Sequence, residues 1–130
     1  MKINTKKDIG NFGEAYCVKF LKRNGYKIIA QNSRLGHLET DIIATNKTHI
    51  LFVEVKTRSV DKNYLLRPSD AVTQTKQSNL LKFAYYYIKT LPKKHSSKQP
   101  RMDVCEISVK DIDGKLEVCD LNYIENAFSR

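Results

Sequence analysis

The sequence predicts one mixed α/β domain, a sheet flanked by helices, in the order α-β-β-β-α-β-β. Three observations carry that prediction. The 130 residues suffice for a single core and fall short of two ordinary domains. Two segments repeat apolar residues at helical spacing, and five short runs are rich in strand formers. No internal repeat and no linker divides the chain, so residues 1–130 read as one unit.

The elements follow in order. Ile9, Phe12, Tyr16 and Phe20 recur at three- and four-residue intervals and Gly25 follows as a stop, which marks residues 8–24 as an amphipathic helix. Lys19, Lys22 and Arg23 share its solvated face. At about 100° per residue Glu14 falls between Leu21 and Val18, about 140° from that face, and so points into the protein. Three strand-like runs come next, "YKIIAQN", "LETDIIAT" and "THILFVEVK", the last two separated by Asn46 and Lys47 as a two-residue hairpin loop. "TRSVDKNYLLRPSD" is a basic loop whose Pro68, Ser69 and Asp70 look like a helix start. Leu80, Ala84, Tyr87, Ile88 and Leu91 form the buried stripe of a second helix, with Lys76 one turn before Leu80 on nearly the same stripe. "LPKKHSSKQPR" reads as a flexible basic connection, and "MDVCEISV" with "LEVCDL", around "DIDG", as a closing hairpin.

Composition narrows the class of function. With 41% hydrophobic and 28% charged residues the chain reads as a soluble globular protein. No apolar run approaches the roughly 20 residues of a membrane span, and no apolar stretch follows the basic start as a secretory signal would require. Cys17, Cys105 and Cys119 are odd in number and lack CxxC spacing, which favours reduced core thiols in a cytoplasmic protein. His37, His49 and His95 are scattered and read as surface or loop residues. The net charge of +9 is uneven: residues 1–101 hold 20 Lys/Arg against 7 Asp/Glu, whereas residues 102–130 hold 3 against 7. A basic excess of this size suits a polyanion, most readily nucleic acid.

Against that excess, the few early carboxylates are conspicuous. "LFVEVKT" has the residues of a buried strand yet carries Glu54 and Lys56 on one side of the chain. Seen alone, it is compatible with a half-exposed strand bearing a surface ion pair. If Asn46 and Lys47 form the loop, however, Glu39 opposes Glu54 and Asp41 opposes Phe52, which gathers Glu39, Asp41, Glu54 and Lys56 at one end of one hairpin face. Opposed like charges repel by up to about 1 kcal/mol per pair, and a divalent cation reverses that sign.

Asp41, twelve intervening residues, then Glu54-Val55-Lys56 on a hairpin, after a helix supplying Glu14, resembles the D…ExK signature of the PD-(D/E)XK, restriction-endonuclease-like nucleases, whose core order is α-β-β-β-α-β. More narrowly the chain resembles the YraN family, related to archaeal-type Holliday junction resolvases. "GNFGEAYCVKFLKRNGYKIIAQN", "ETDIIA", "LFVEVKTR", "AVTQTK" and "RMDVCEI" carry the likeness over nearly the whole chain. It departs from the family pattern at Leu38, where Gly is usual, at Thr40, where an aliphatic residue is usual, and in having no Pro before Asp41.

The resemblance implies a metal-dependent endonuclease acting on DNA, with branched or junction DNA among its substrates. In that reading Asp41, Glu54 and the Val55 carbonyl hold Mg²⁺ or Mn²⁺, and Lys56 orients the attacking water or stabilises the charge that develops on phosphorus. Glu14 serves as a supporting or second-metal carboxylate, and Glu39 is a further candidate for that supporting role. Lys76 would contact phosphate, with a snorkelling lysine as the plain alternative, and Arg58 and Arg67 would flank the site. Tyr85, Tyr86 and Tyr87 invite base stacking, although helical spacing assigns at least one to the core and packing is the plainer reading. The alternative function is a nucleic-acid-binding module that keeps the nuclease fold without turnover. A homodimer is compatible with either.

Overall fold

In the computed structural model of the chain, which describes residues 3–63 and 72–128, helix α1 spans Lys6–Arg23. Its start is fixed reciprocally: Thr5 Oγ1 accepts from the Asp8 amide at 3.1 Å while Asp8 Oδ2 accepts from the Thr5 amide at 2.8 Å. Asn24 caps its end, and Gly25 at φ 86° turns the chain into the sheet. Strands β1 (Lys27–Leu35), β2 (Leu38–Thr45) and β3 (His49–Ser59) follow as an antiparallel meander. A crossover containing α2 (Val60–Asn63), α3 (Gln74–Thr90) and α4 (Lys93–Ser96) leads to β4 (Gln99–Ile112), which pairs parallel with β3. β5 (Lys115–Ile124) closes the sheet against β4, so the five strands lie in sequence order in a mixed sheet.

The seven predicted elements are all present, and among the described residues two short helices, α2 and α4, are added. The predicted helix start at Pro68, Ser69 and Asp70 lies outside the described residues; among those described, Thr73 caps α3 by accepting from the Lys76 amide. The segment read as a flexible connection contains α4 and the first residues of β4. Cys17 and Cys105 are the expected core thiols, whereas Cys119 is exposed on β5.

The expected single core is two cores, because the sheet separates them. Ile42, Ala44, Leu51 and Val53 pack with Cys17 and Leu21 of α1, while the alternate residues Ile43, Ile50 and Phe52 pack with Leu80, Phe83 and Ala84 of α3. Central strands β2 and β3 are therefore apolar on both faces where the helices cover them. Gly13 lets α1 lie directly on β3: a Cβ there would overlap the Thr57 side chain. On β4, toward the β5 edge of the sheet, Asp103 is fully buried and satisfied, accepting from Arg101, from Tyr123 Oη at 2.6 Å and from the Asn126 amide at 2.9 Å. Arg101 also donates to Tyr26 Oη, joining β4, β5 and the entrance to β1.

One register differs from expectation. Thr45 pairs with Ile50 and Ile42 with Val53, so the tip of the hairpin is Lys47-Thr48 and not Asn46-Lys47. The reason is local: Asn46 Oδ1 accepts from the amides of Thr48 and His49 at 3.0 and 2.8 Å, using Asn46 to close the turn. The predicted oppositions Glu39 with Glu54 and Asp41 with Phe52 are thus displaced by two residues. A two-residue slip preserves which side chains share a face, and here it brings Asp41 rather than Glu39 opposite Glu54.

Candidate active site

The β2–β3 ladder stops short of the strands it joins. It runs from Thr45–Ile50 to Ile42–Val53, yet β2 continues to Leu38 beside β1 and β3 continues to Ser59 beside β4. The sheet forks at this point. Asp41 and Glu54 are the first residues past the last pair, one on each branch. Asp41 Oδ2 accepts from the Val55 amide at 2.8 Å, so a carboxylate spans the gap where a backbone carbonyl would otherwise continue the ladder.

Asp41, Glu54 and Lys56 are held largely out of water. Burial above all, then the neighbouring Glu54 charge, pushes the Asp41 carboxyl up to about 7; Glu14 adds to the rise, and the Val55 amide and Lys56 oppose it. Lys56 Nζ lies 3.4 Å from Glu54 Oε1, with each side chain only 16% exposed. The ion pair of "FVEVK" therefore exists, but inside the fork and not on an open surface. Lys76, at the start of α3, is held below its ordinary value chiefly by the adjacent Lys56 ammonium and by burial, offset by Glu54 and Asp41. Two carboxylates and the Lys56 ammonium thus share one niche in the fork, with Lys76 at its rim.

Glu14 reaches the niche from α1. It is half-buried, burial raises its carboxyl above the ordinary range, and its Oε1 accepts from Asn32 Nδ2 at 2.9 Å. Asn32 lies between the pairs Gln31–Ile42 and Ser33–Thr40, across from Asp41, with φ at 49°. A non-glycine residue in the left-handed region within a strand is uncommon, and Asn is among the few side chains that tolerate it. Sequence reasoning gave Asn32 and Gly13 no role. The polar "QN" at the end of an otherwise apolar strand was the available signal for Asn32, and only the packing of α1 on Thr57 reveals that of Gly13.

The remaining candidates are placed differently. Glu39 is not brought into the niche: it pairs with Arg34 across the β1–β2 ladder at 3.2 Å, with 73% and 60% of the two side chains exposed. The β1–β2 ladder continues beyond the fork and turns Glu39 toward that neighbour. Arg58 follows Lys56 on the same row of β3 and is half-buried. Arg67 lies outside the described residues. Of the three adjacent tyrosines, Tyr87 packs against Phe52 and Phe83, while Tyr85 and Tyr86 are exposed. Among the described residues no three His, Cys, Asp or Glu side chains form a ready-made metal cage. The donor set is two carboxylates, Asp41 and Glu54, with the Val55 backbone between them and Glu14 behind.

The family model described as uncharacterised protein family UPF0102 matches residues 13–107, a span that contains Glu14, Asn32, Asp41, Glu54, Lys56 and Lys76. The chain belongs to the UPF0102 family. The YraN likeness read from the sequence is therefore correct at family level, since YraN and UPF0102 are one family. A UPF0102 protein of Caldicellulosiruptor saccharolyticus is 43% identical over 124 residues, covering 95% of this chain and 98% of the relative. Those of Caldanaerobacter subterraneus and Acetivibrio thermocellus are 40% and 38% identical, covering 98% and 96% of this chain and 100% and 94% of the relatives. These UPF0102 relatives match end to end, and their names state no activity. Among the described residues no helix is long and apolar enough to cross a membrane.

Proposed function

We propose that this UPF0102 protein is a metal-dependent endonuclease that hydrolyses phosphodiester bonds of DNA, branched DNA included, on a restriction-endonuclease-like core of the PD-(D/E)XK type. The observation that carries the reading is the fork: Asp41 and Glu54 meet where β2 and β3 part, with Lys56 and Lys76 beside them.

The residues present suit a hard divalent cation. Mg²⁺ prefers oxygen ligands, retains several waters and is commonly held by only one or two carboxylates. Asp41, Glu54 and the Val55 carbonyl would hold it, and Glu14 would support it. The mutual repulsion that raises the Asp41 carboxyl is what a cation would relieve. Bound there, the ion would supply Lewis acidity toward phosphoryl oxygens and acidify a water. The chain's own residues do the rest. Lys76, on the α3 side, draws the substrate phosphate into the fork. Lys56, 3.4 Å from Glu54 Oε1, would orient the attacking water and balance the negative charge that grows on the phosphoryl oxygens as the new P–O bond forms and the sugar P–O bond breaks. The low exposure of Lys56 and Glu54 strengthens these charge interactions.

Purified protein incubated with labelled branched, linear and single-stranded DNA and with RNA, in Mg²⁺ or Mn²⁺ and in EDTA, tests the reading. Cleavage is expected with metal only. Glu54→Gln should lose at least about a hundredfold in rate, while its binding in EDTA holds or tightens. Equal cleavage by Glu54→Gln would move the site elsewhere. A wild-type protein that cuts none of these substrates would make the fork part of a noncatalytic binding module.

A further inference from the structure

Helix α3 leads away from the fork carrying a face that hydrolysis at Asp41 and Glu54 does not use. Its inward residues Leu80, Phe83 and Ala84 are buried against the sheet. Outward, Ser78, Leu81, Lys82, Tyr85 and Tyr86 line a cleft of about 260 Å³. Tyr85 and Tyr86 are each 54% exposed and are two of the four most exposed large hydrophobic side chains among the described residues. Their rings meet edge to face at 5.3 Å, and Lys89 Nζ lies 4.1 Å from the centre of the Tyr85 ring. Spacings of four, three and four residues set Ser78, Lys82, Tyr85 and Lys89 on one stripe.

The charge around this stripe has one sign. Between Asp70 and Asp103 the sequence has seven Lys/Arg and no Asp or Glu. The basic run starts at the fork with Lys76, passes Lys82 and Lys89 on α3 and continues through Lys93 and Lys94 of α4. At the far end the imidazole of His95 is held below its ordinary value by the partial burial of its ring and then by the nearby charges of Lys98, Lys94 and Lys27. Exposed phenols interleaved with lysines complement a polyanion that also has flat faces to stack. A paired duplex keeps its base faces inside the stack, whereas an unpaired strand presents them.

We propose that the outer face of α3 binds an unpaired nucleic-acid strand running from the fork, with a base seated in the Ser78–Tyr86 cleft against Tyr85 and Tyr86 and flanking phosphates on Lys82 and Lys89. The inference rests on the fork being the cleavage site, and it names the substrate class as nucleic acid with a single-stranded arm. The helix is about 25 Å long, enough for a strand of several nucleotides to track.

Fluorescence anisotropy in EDTA, with the full chain and one sequence supplied as single-stranded DNA, single-stranded RNA, blunt duplex and splayed-arm duplex, tests it. Tyr85→Ala/Tyr86→Ala should weaken binding of the single strands and the splayed-arm duplex by about five- to a hundredfold, with little change for the blunt duplex. Tyr85→Phe/Tyr86→Phe, which keeps the rings, should bind as wild type. Ultraviolet crosslinking should join the strand to Tyr85 or Tyr86. Equal binding of single strands by wild type and the alanine pair overturns the inference and leaves cleavage at the fork unaffected. An equal loss on all four probes also overturns it, because the tyrosines would then serve general affinity or folding. If the single-strand contrast holds but the wild type cuts no substrate with Mg²⁺ or Mn²⁺, the fork reading fails and the α3 face stands as a binding surface. Concentration-dependent dimerisation abolished by the alanine pair, with no nucleic-acid binding by wild type, would assign the face to a second copy of the chain and overturn the proposal.

Discussion

Asp41 sits where its own charge is least comfortable. Its carboxyl is pushed up to about 7 from an ordinary 3.8, chiefly by burial and then by Glu54. A folded-state value above the unfolded one means that folding takes up a proton between the two. Metal-free stability should therefore fall as pH rises from about 4 to about 7 and level off above that, because the unfolded chain ionises first. Asp41→Asn keeps an oxygen for the Val55 amide and loses the charge. It should remove this decline and stabilise the metal-free protein at about pH 8 by on the order of 1–3 kcal/mol. Mn²⁺ should raise the melting temperature of the wild type and leave Asp41→Asn nearly unmoved. Melting curves across pH 5 to 8 that coincide for the two proteins would show that the carboxylate carries no such penalty.

The helix α1 contributes to the fork through two neighbours with opposite needs. Glu14 needs to reach Asn32, and Gly13 needs to be absent as a side chain so that α1 can rest on Thr57 of β3. Gly13→Ala would help an isolated helix, since Ala is the stronger helix former by about 1 kcal/mol. In the folded protein the overlap with Thr57 should outweigh that gain and destabilise by about 1–3 kcal/mol net, lifting α1 and with it Glu14. Combining it with Thr57→Ala should recover part of the loss, because the overlapping Oγ1 and Cγ2 atoms are removed while Cβ remains. Chemical denaturation of the four proteins measures the coupling. Additive effects within about 0.3 kcal/mol would mean that Gly13 and Thr57 do not meet.

Across the molecule, charge is segregated along the chain: the first 101 residues carry a net +13 and the last 29 a net −4. Nucleic-acid binding should therefore weaken steeply with salt, with a log–log slope near −0.9 for each duplex phosphate neutralised. Lys76→Ala should reduce that slope by about one unit if Lys76 holds a phosphate at the fork. The competing expectation is a lysine that snorkels to solvent at the start of α3 without touching phosphate, in which case the slope stays unchanged. Salt titrations of both proteins in EDTA separate the two.

The order of elements was legible in the chain because each rests on local physics. Period-3.6 and period-2 patterns mark α1, α3 and the strands, and they also put Asp41, Glu54 and Lys56 on one face whatever the exact turn. The hairpin tip lies one residue further on than the strand pattern suggests because Asn46 pairs with His49 through its backbone amide while its side chain accepts from the Thr48 and His49 amides. Other features belong to contacts that no local pattern encodes. Where β2 stops pairing with β3 depends on how each is drawn to its outer neighbour, β1 or β4, and that decides that Asp41 enters a niche while Glu39, two residues away, goes to Arg34 at the surface. The role of Asn32 depends on α1 crossing near β1, and the separation of Tyr87 from Tyr85 and Tyr86 depends on which side of α3 the sheet covers. By itself the sequence determined which residues carry charge, which segments become helix or strand and which side chains share a face. The tertiary structure alone decided which carboxylates lose water together, because burial is a property of the packed neighbours and not of the chain that passes between them.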